Sequence, residues 1–251
     1  MSAGRAIGPA GWLRIILRAL AMIAALALAV PAFYVFKPFT RRNPVPRRFL
    51  AALGRISGMT VRRTGPAPQP GSFLIANHVS WLDIPALAGA TGSAFVAHDG
   101  LAAFAPLRWL CDKNDTVFIA RHDRASVTRQ IEQVRAALAE TGALTVFPEG
   151  TTSDGTGLLP FKSALLSALE TDADHVPVQP VWLDYGREVA DIAWVGVEPG
   201  LDNALRVLAR RRPVTLTLHF LLPLEPAARA NRKTMAKAAQ DAIQAAIDRP
   251  A

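Results

Sequence analysis

Apolar and polar positions change period several times along this chain. Residues 19–36, ALAMIAALALAVPAFYVF, carry no charge, with Arg14 and Arg18 before them and Lys37, Arg41 and Arg42 after. That run lies near the lower limit for crossing a bilayer, and Pro31 is placed to kink it. From residue 72 onward, short apolar runs alternate with helical periods. Strands are predicted near residues 72–76, 93–97, 116–120, 143–147, 176–183, 192–197 and 214–221. Between 124 and 142, Val127, Ile131, Val134 and Leu138 fall at i, i+4, i+7 and i+11, with Gly142 at the C′ position of the helix they predict. A polar, Ala-rich helix over 228–248 is expected as a surface cover. Strands alternating with helices imply an α/β sheet with helices on its faces.

TGPAPQPG, residues 64–71, breaks both periods and divides the chain into three parts. Residues 1–63 are expected to be a basic, apolar membrane-anchoring helical segment, 64–71 a linker, and 72–251 the main folded domain. Charge supports the division. The formal net charge is +8, yet residues 1–82 hold eleven Arg and Lys and no Asp or Glu, which leaves −3 on the other 169 residues. A basic segment of this kind suits nucleic acid or an anionic membrane, and the apolar run inside it decides for the membrane. Basic residues flank the run on both sides, so a single span and a monotopic hairpin, with residues 50–59 along the surface, both fit. A cleavable signal peptide ending at Ala32 and a buried core helix are the competing readings of the run. Cys111 is the only cysteine, which excludes an intramolecular disulfide and a cysteine-based metal cluster.

In α/β sheets the chemistry usually sits where strands end. Three polar clusters fall at such places: Asn77-His78, the run Arg121 to Arg124, and the run Glu149 to Gly155. Asp83, the first acidic residue of the chain, lies five residues after His78. A carboxylate on the imidazole Nδ1–H fixes the tautomer, frees Nε2 as a base and stabilises the imidazolium. The plain alternative makes Asp83 part of a helix cap beginning at Ser80. Glu149 ends an apolar strand where a structural turn has little use for a charge, and is suited to hold a substrate hydroxyl. Arg121 is suited to pair with it or to grip a phosphate.

Together NHVSWLD, VFIAR, FPEGT and VPVQPV, in that order within residues 72–182, resemble the four motif blocks of the glycerophospholipid acyltransferase family, typified by 1-acyl-glycerol-3-phosphate acyltransferase. The resemblance implies a mixed sheet flanked by helices and a membrane-associated N-terminus. It implies transfer of an acyl group from acyl-CoA or acyl-ACP, as co-substrate, to a lysolipid hydroxyl, with no tightly bound cofactor, no metal and no nucleic-acid partner. His78 and Asp83 are then catalytic, and Arg121, Glu149, Gly150, Thr151 and Lys162 bind the acceptor. The expected location is the membrane, with the catalytic domain on the cytoplasmic face of the inner membrane. Two positions depart from the family. Ala120 stands where an acidic residue is usual, and Thr152 where most members carry arginine. EGTTSDG followed by LLPFKSAL resembles a subset that includes lyso-ornithine-lipid acyltransferases.

Rivals from other classes are a catalytically silent lipid-binding protein on the same fold and a metal-dependent phosphohydrolase. The first has no need of both His78 and Asp83. The second would draw on His98-Asp99 and His122-Asp123, which lack metal-ligand spacing. His175 and His219 sit in apolar contexts and read as structural.

Overall fold

Residues 72–76, SFLIA, have no side chain left in water, and this is why they read as one apolar run without alternation. In the computed structural model they form the strand Ser72–Ala76 near the centre of the sheet. The structure describes residues 7–40, 42–98, 105–114, 116–119, 132, 136–138, 141–164, 166 and 176–249. In chain order the strands are β1 Met59–Thr64, β2 Ser72–Ala76, β3 Ala94–His98, β4 Val117–Ile119, β5 Ala143–Val146, β6 Val178–Asp184 and β7 Val214–Phe220. They lie in the order β1-β7-β6-β2-β5-β3-β4. Only the β6–β7 pair is antiparallel, so the sheet is mixed, as expected.

Six of the seven predicted strands are present. The exception is 192–197. There Val189–Ile192 makes one helical turn and the chain then bends through Gly196 at φ +65°. Its Ile/Ala and Val/Gly alternation imitates a half-buried strand, but Val195 and Val197 are exposed. The strand not foreseen is β1, which pairs in parallel with β7 from Met59↔Val214 to Thr64↔His219. All of it but Thr64, the first residue of the expected linker, lies within the stretch assigned from sequence to the anchoring segment. Only Met59 of its six residues is buried, so composition gives no strand signal.

Two cores pack on the two faces. Leu74 and Ala76 point to the face covered by helix α3, Asp83–Thr91, whose Leu87 and Ala88 are fully buried. Phe73 and Ile75 point to the other, which takes in Met235, Ala236 and Ala239 of the last helix, Arg232–Ile247. That helix is therefore a packed element as well as a cover. Asn231 caps it, accepting from the Lys233 and Thr234 N–H groups at 3.0 Å. Most of the helix expected over 124–142 lies outside the described residues. At its end Gly142 takes φ +80° and donates to Leu138 O at 3.0 Å.

The N-terminal helix α1 runs from Pro9 to Phe36 with Pro31 inside it, about 42 Å at 1.5 Å per residue. It begins ten residues before the uncharged run, so Arg14 and Arg18 are inside it. They donate to Ala209 O and Leu208 O at 2.8 Å, at the carbonyl end of the helix Gly200–Ala209. These two of the basic residues flanking the apolar run thus satisfy a helix C-terminus. Helix α2, Pro44–Ile56, follows and packs between α1 and α3. Helix α4, Ala105–Lys113, ends with the Lys113 ammonium about 5.5 Å from the Phe33, Tyr34 and Trp109 ring centroids. In chain order, Gly200–Ala209 is α5 and Arg232–Ile247 is α6.

Candidate active site

The strand ends carry the sequence-predicted pair into contact. Asn77, just past β2, is buried and bonded to β6 twice. Its Oδ1 accepts from Leu183 N–H at 2.7 Å and its Nδ2 donates to Leu183 O at 3.2 Å. This clamp fixes the backbone from which His78 projects. The next four residues bend so that Asp83, first residue of α3, turns back toward the ring. His78 Nδ1 lies 2.8 Å from Asp83 Oδ2, with the histidine side chain 18% exposed and the aspartate fully buried. Because a carboxylate accepts there, Nδ1 carries the hydrogen and Nε2 is left free.

Asp83 also settles its competing role, for it holds the turn as well. Oδ2 accepts from Val79 N–H at 2.7 Å and Ser80 N–H at 2.9 Å, and Oδ1 accepts from Tyr185 OH at 2.6 Å. Four donors thus converge on one buried carboxylate, which satisfies both of its oxygens within the fold. Burial, and then the Asp83 charge, push the Tyr185 phenol well above its ordinary value, so it stays a donor.

Glu149, just beyond β5, is buried against the same loop. Its Oε1 accepts from His78 N–H at 3.1 Å, while Oε2 has no hydrogen-bond partner among the described residues. Burial pushes this carboxyl up to about 7, with the hydrogen bond from His78 N–H pulling it partly back. The glutamate loop closes on the histidine loop elsewhere too: Ser153 N–H and Oγ–H donate to His78 O at 2.7 and 3.1 Å. Gly150 takes φ +69°, which a side chain would resist, and with Thr151 forms an exposed rim. Lys162 is exposed, its N–H on Pro148 O at 2.8 Å holding it beside the glutamate turn. Arg121, with residues 122–124, lies outside the described residues.

Sequence reading missed three features. Tyr185 is one. A second is the stack of His78 on Phe147, centroids 4.1 Å apart and planes 13° from parallel, continued by Phe95 at 5.9 Å. The third is a groove of about 320 Å³, walled by α1, α2, the start of α3 and α4 and almost wholly apolar. Trp81, Ile84 and Phe95 line it near the dyad, and Leu26, Ala29 and Phe33 of α1 line it farther out. Their apolar character was visible, but nothing in the sequence brings four helices round one space. Among the described residues no cluster of three His, Cys, Asp or Glu is placed to hold a metal.

Residues 58–184 match the family model described as Acyltransferase. The lyso-ornithine lipid O-acyltransferase of Pseudomonas aeruginosa is 34% identical over 211 residues, covering 82% of this chain and 79% of that one. The 1-acyl-sn-glycerol-3-phosphate acyltransferase of Neisseria meningitidis is 32% identical over 207 residues, covering 80% and 78%. In fold, the crystal structure of the 1-acyl-sn-glycerophosphate acyltransferase from Thermotoga maritima superposes with a TM-score of 0.68 at 21% identity, over 96% of this chain and 99% of that one. The relatives define an enzyme of lipid synthesis that uses an acyl donor as co-substrate, and the long apolar α1 suggests association with a membrane. The chain belongs to the acyltransferase family, and within it to the lysolipid O-acyltransferases.

Proposed function

We propose that this lysolipid acyltransferase carries an acyl group from a thioester of coenzyme A or acyl carrier protein to the hydroxyl of lyso-ornithine lipid, with His78 as general base. The contact between His78 Nδ1 and Asp83 Oδ2 carries the reading. Nε2 takes the proton as the acceptor hydroxyl attacks the thioester carbonyl, and Asp83 stabilises the imidazolium. The new ester forms, the C–S bond breaks, and the departing thiolate takes the proton from Nε2. No acyl-enzyme forms, because the acceptor hydroxyl itself is the nucleophile that displaces the thiolate.

The apolar groove beside Phe95 suits the acyl chain of the donor, with its carbonyl at the dyad. Glu149, Gly150, Thr151, Lys162 and Arg121 are the proposed acceptor-binding residues. The unpartnered Oε2 of Glu149 is buried at the base of that rim, able to meet a polar group of the acceptor. Thr152 favours lyso-ornithine lipid over lysophosphatidate. Its hydroxyl donates to Trp194 O, so the position that most members give to arginine turns away from a phosphate and brings no charge.

Residues 1–63 form the membrane-holding part, the 64–71 segment the joint and 72–251 the catalytic part, with β1 shared as an edge strand. α1 lies against the body at both ends, through Gly11 beside Ala209 and again through Phe33, whose ring lies 5.4 Å from the Lys113 ammonium, and this favours a monotopic helix over a free-standing span. The cytoplasmic face of the inner membrane supplies both donor types. The test offers lysophosphatidate and lyso-ornithine lipid separately, with a labelled thioester of each carrier, to wild type and His78→Ala. Acylated lyso-ornithine lipid, lost by about 10²-fold or more in the variant, is expected. Near-normal turnover in His78→Ala removes the base. Turnover with neither acceptor supports a silent lipid-binding protein instead.

A further inference from the structure

Beyond α1, a second apolar surface stands on a turn whose base is hydrogen-bonded to the loop that carries His78. In the turn after residue 192, Val197 is fully exposed, and Val195 and Leu201 are 41% and 70% exposed. This exposure is not looseness. The Glu198 carboxylate takes Arg206 Nε at 3.0 Å, Arg206 Nη2 at 2.9 Å and Asn203 Nδ2 at 2.9 Å. Trp194 Nε1 donates to Glu198 O at 2.7 Å, and Arg206 and Asn203 both donate to Ala193 O. Gly200 has the Trp194 indole against it, so that a Cβ there would lie 3.0 Å from the ring. The base of the turn is thereby fixed, and its two valines are held out at the tip.

The same turn is bonded to both halves of the active site. Trp194 N–H donates to Val79 O at 2.9 Å, one residue after His78, and Thr152 Oγ donates to Trp194 O in the glutamate loop. It is also continuous with α1. Leu201, Leu205 and Leu208 fall at i, i+4 and i+7 on α5, one stripe along the helix. The stripe ends where Arg14 and Arg18 of α1 hydrogen-bond Ala209 and Leu208.

We infer that the Val195–Val197 tip, extended by Leu201, is a second membrane-contacting element, which enters the lipid surface and sets the mouth of the active site at the depth of the lysolipid hydroxyl. The inference rests on the lysolipid reading, since an acceptor held in a bilayer is what gives such an element its use. An apolar tip rigidly held in water, continuous with a membrane helix, fits the boundary between headgroups and acyl chains. Exposed Arg211 and Arg212, at the α1 end of α5, suit lipid phosphates. An acidic carrier protein fits the tip poorly. Arg206 is paired with Glu198, and Arg210 with Glu188 and Asp191, so neither is free to meet its carboxylates.

The test places one fluorescent label on the full chain, reconstituted into phosphatidylglycerol vesicles containing brominated lipid. Val197→Cys and Asp241→Cys are each made in a Cys111→Ser background, so that each carries a single thiol. Asp241 is exposed on α6, across the sheet from α5. The inference expects a blue-shifted, bromine-quenched label at 197 and an unquenched one at 241. Equal, weak quenching at both sites overturns it, as does a response at 197 only when acyl carrier protein is added. The reading needs no turnover, so a failure of the lysolipid assignment registers separately, in the acceptor assay. Replacing both valines by aspartate is expected to lower the rate on vesicle-borne lysolipid by about tenfold or more while sparing a short-chain, monomeric acceptor. Equal loss on both overturns the positioning role.

Discussion

The Tyr185 hydroxyl lies 2.6 Å from Asp83 Oδ1, on the oxygen that His78 does not use. With His78 as the proposed base, Tyr185 would be a positioning residue for the dyad, acting through the carboxylate and touching no reacting atom. Tyr185→Phe keeps the ring and its packing but leaves a buried carboxylate oxygen without a donor. A cost of about 1–3 kcal/mol is expected in urea unfolding, the usual penalty for such an orphan. Turnover should fall several-fold while KM for either substrate changes little, since neither substrate is touched. A drop confined to KM would remove the positioning role.

Asp83 holds backbone and imidazole together, and two substitutions separate those duties. Asp83→Asn can still accept from Val79 N–H, Ser80 N–H and His78 through its oxygen, and its amide can donate to the Tyr185 oxygen. Only the charge is lost. A folded protein slowed by about 10²–10⁴-fold is expected, because the imidazolium loses its counter-charge. Asp83→Ala leaves two buried N–H groups unpaired and should lose several kcal/mol of stability as well, at about 1–3 kcal/mol each. Circular dichroism melts of the two variants beside their acylation rates make the comparison. Equal unfolding in both would assign Asp83 to structure alone.

Glu149 predicts how stability depends on pH. Its carboxyl sits at about 7 in the folded chain against an ordinary 4.5, raised by burial. Below 4.5 it is protonated in folded and unfolded chains alike and adds its full stabilisation. As pH rises toward about 7 the unfolded chain ionises first, and the folded state loses on the order of 3 kcal/mol relative to its acid value. Glu149→Gln keeps the oxygen that accepts from His78 N–H but does not titrate. Its unfolding free energy should therefore fall less than that of wild type between about pH 4.5 and 7. Parallel pH profiles for the two proteins would show that this carboxyl does not titrate in the window.

Much of this architecture was legible where local pattern and burial agree. β2 and β5 are short apolar runs ending in polar clusters, so the sequence marked both strands and the places where chemistry follows. The His78–Asp83 contact was legible too, because a five-residue bend closes it. Tyr185 was not. It stands 102 residues from Asp83, and only the pairing of β6 with β2 brings it there. β1 was hidden because five of its six side chains face water and its signal lies in partnership with β7. The apolar alternation at 192–197 misled for the opposite reason. Its valines are exposed by a turn that Glu198, Arg206 and Asn203 hold, a network no local pattern announces.

α1 supplies part of the wall of the apolar groove. Ala29 is the smallest side chain that α1 adds there, and Phe33 lies one turn farther on. Ala29→Phe adds a ring to a space of about 320 Å³ without touching the dyad, so the chemistry at His78 should be unchanged. Acyl chains that reach past residue 29 would meet the ring, while shorter ones would not. Expected is a fall of about tenfold or more in kcat/KM for the longest thioesters, the loss of a few buried methylenes at ~0.8 kcal/mol each. Short-chain thioesters should keep their rate. The check is kcat/KM across thioesters of graded length, for wild type and variant at fixed acceptor. A uniform loss at every length would mean that α1 had shifted, and an unchanged profile would mean that the acyl chain lies elsewhere.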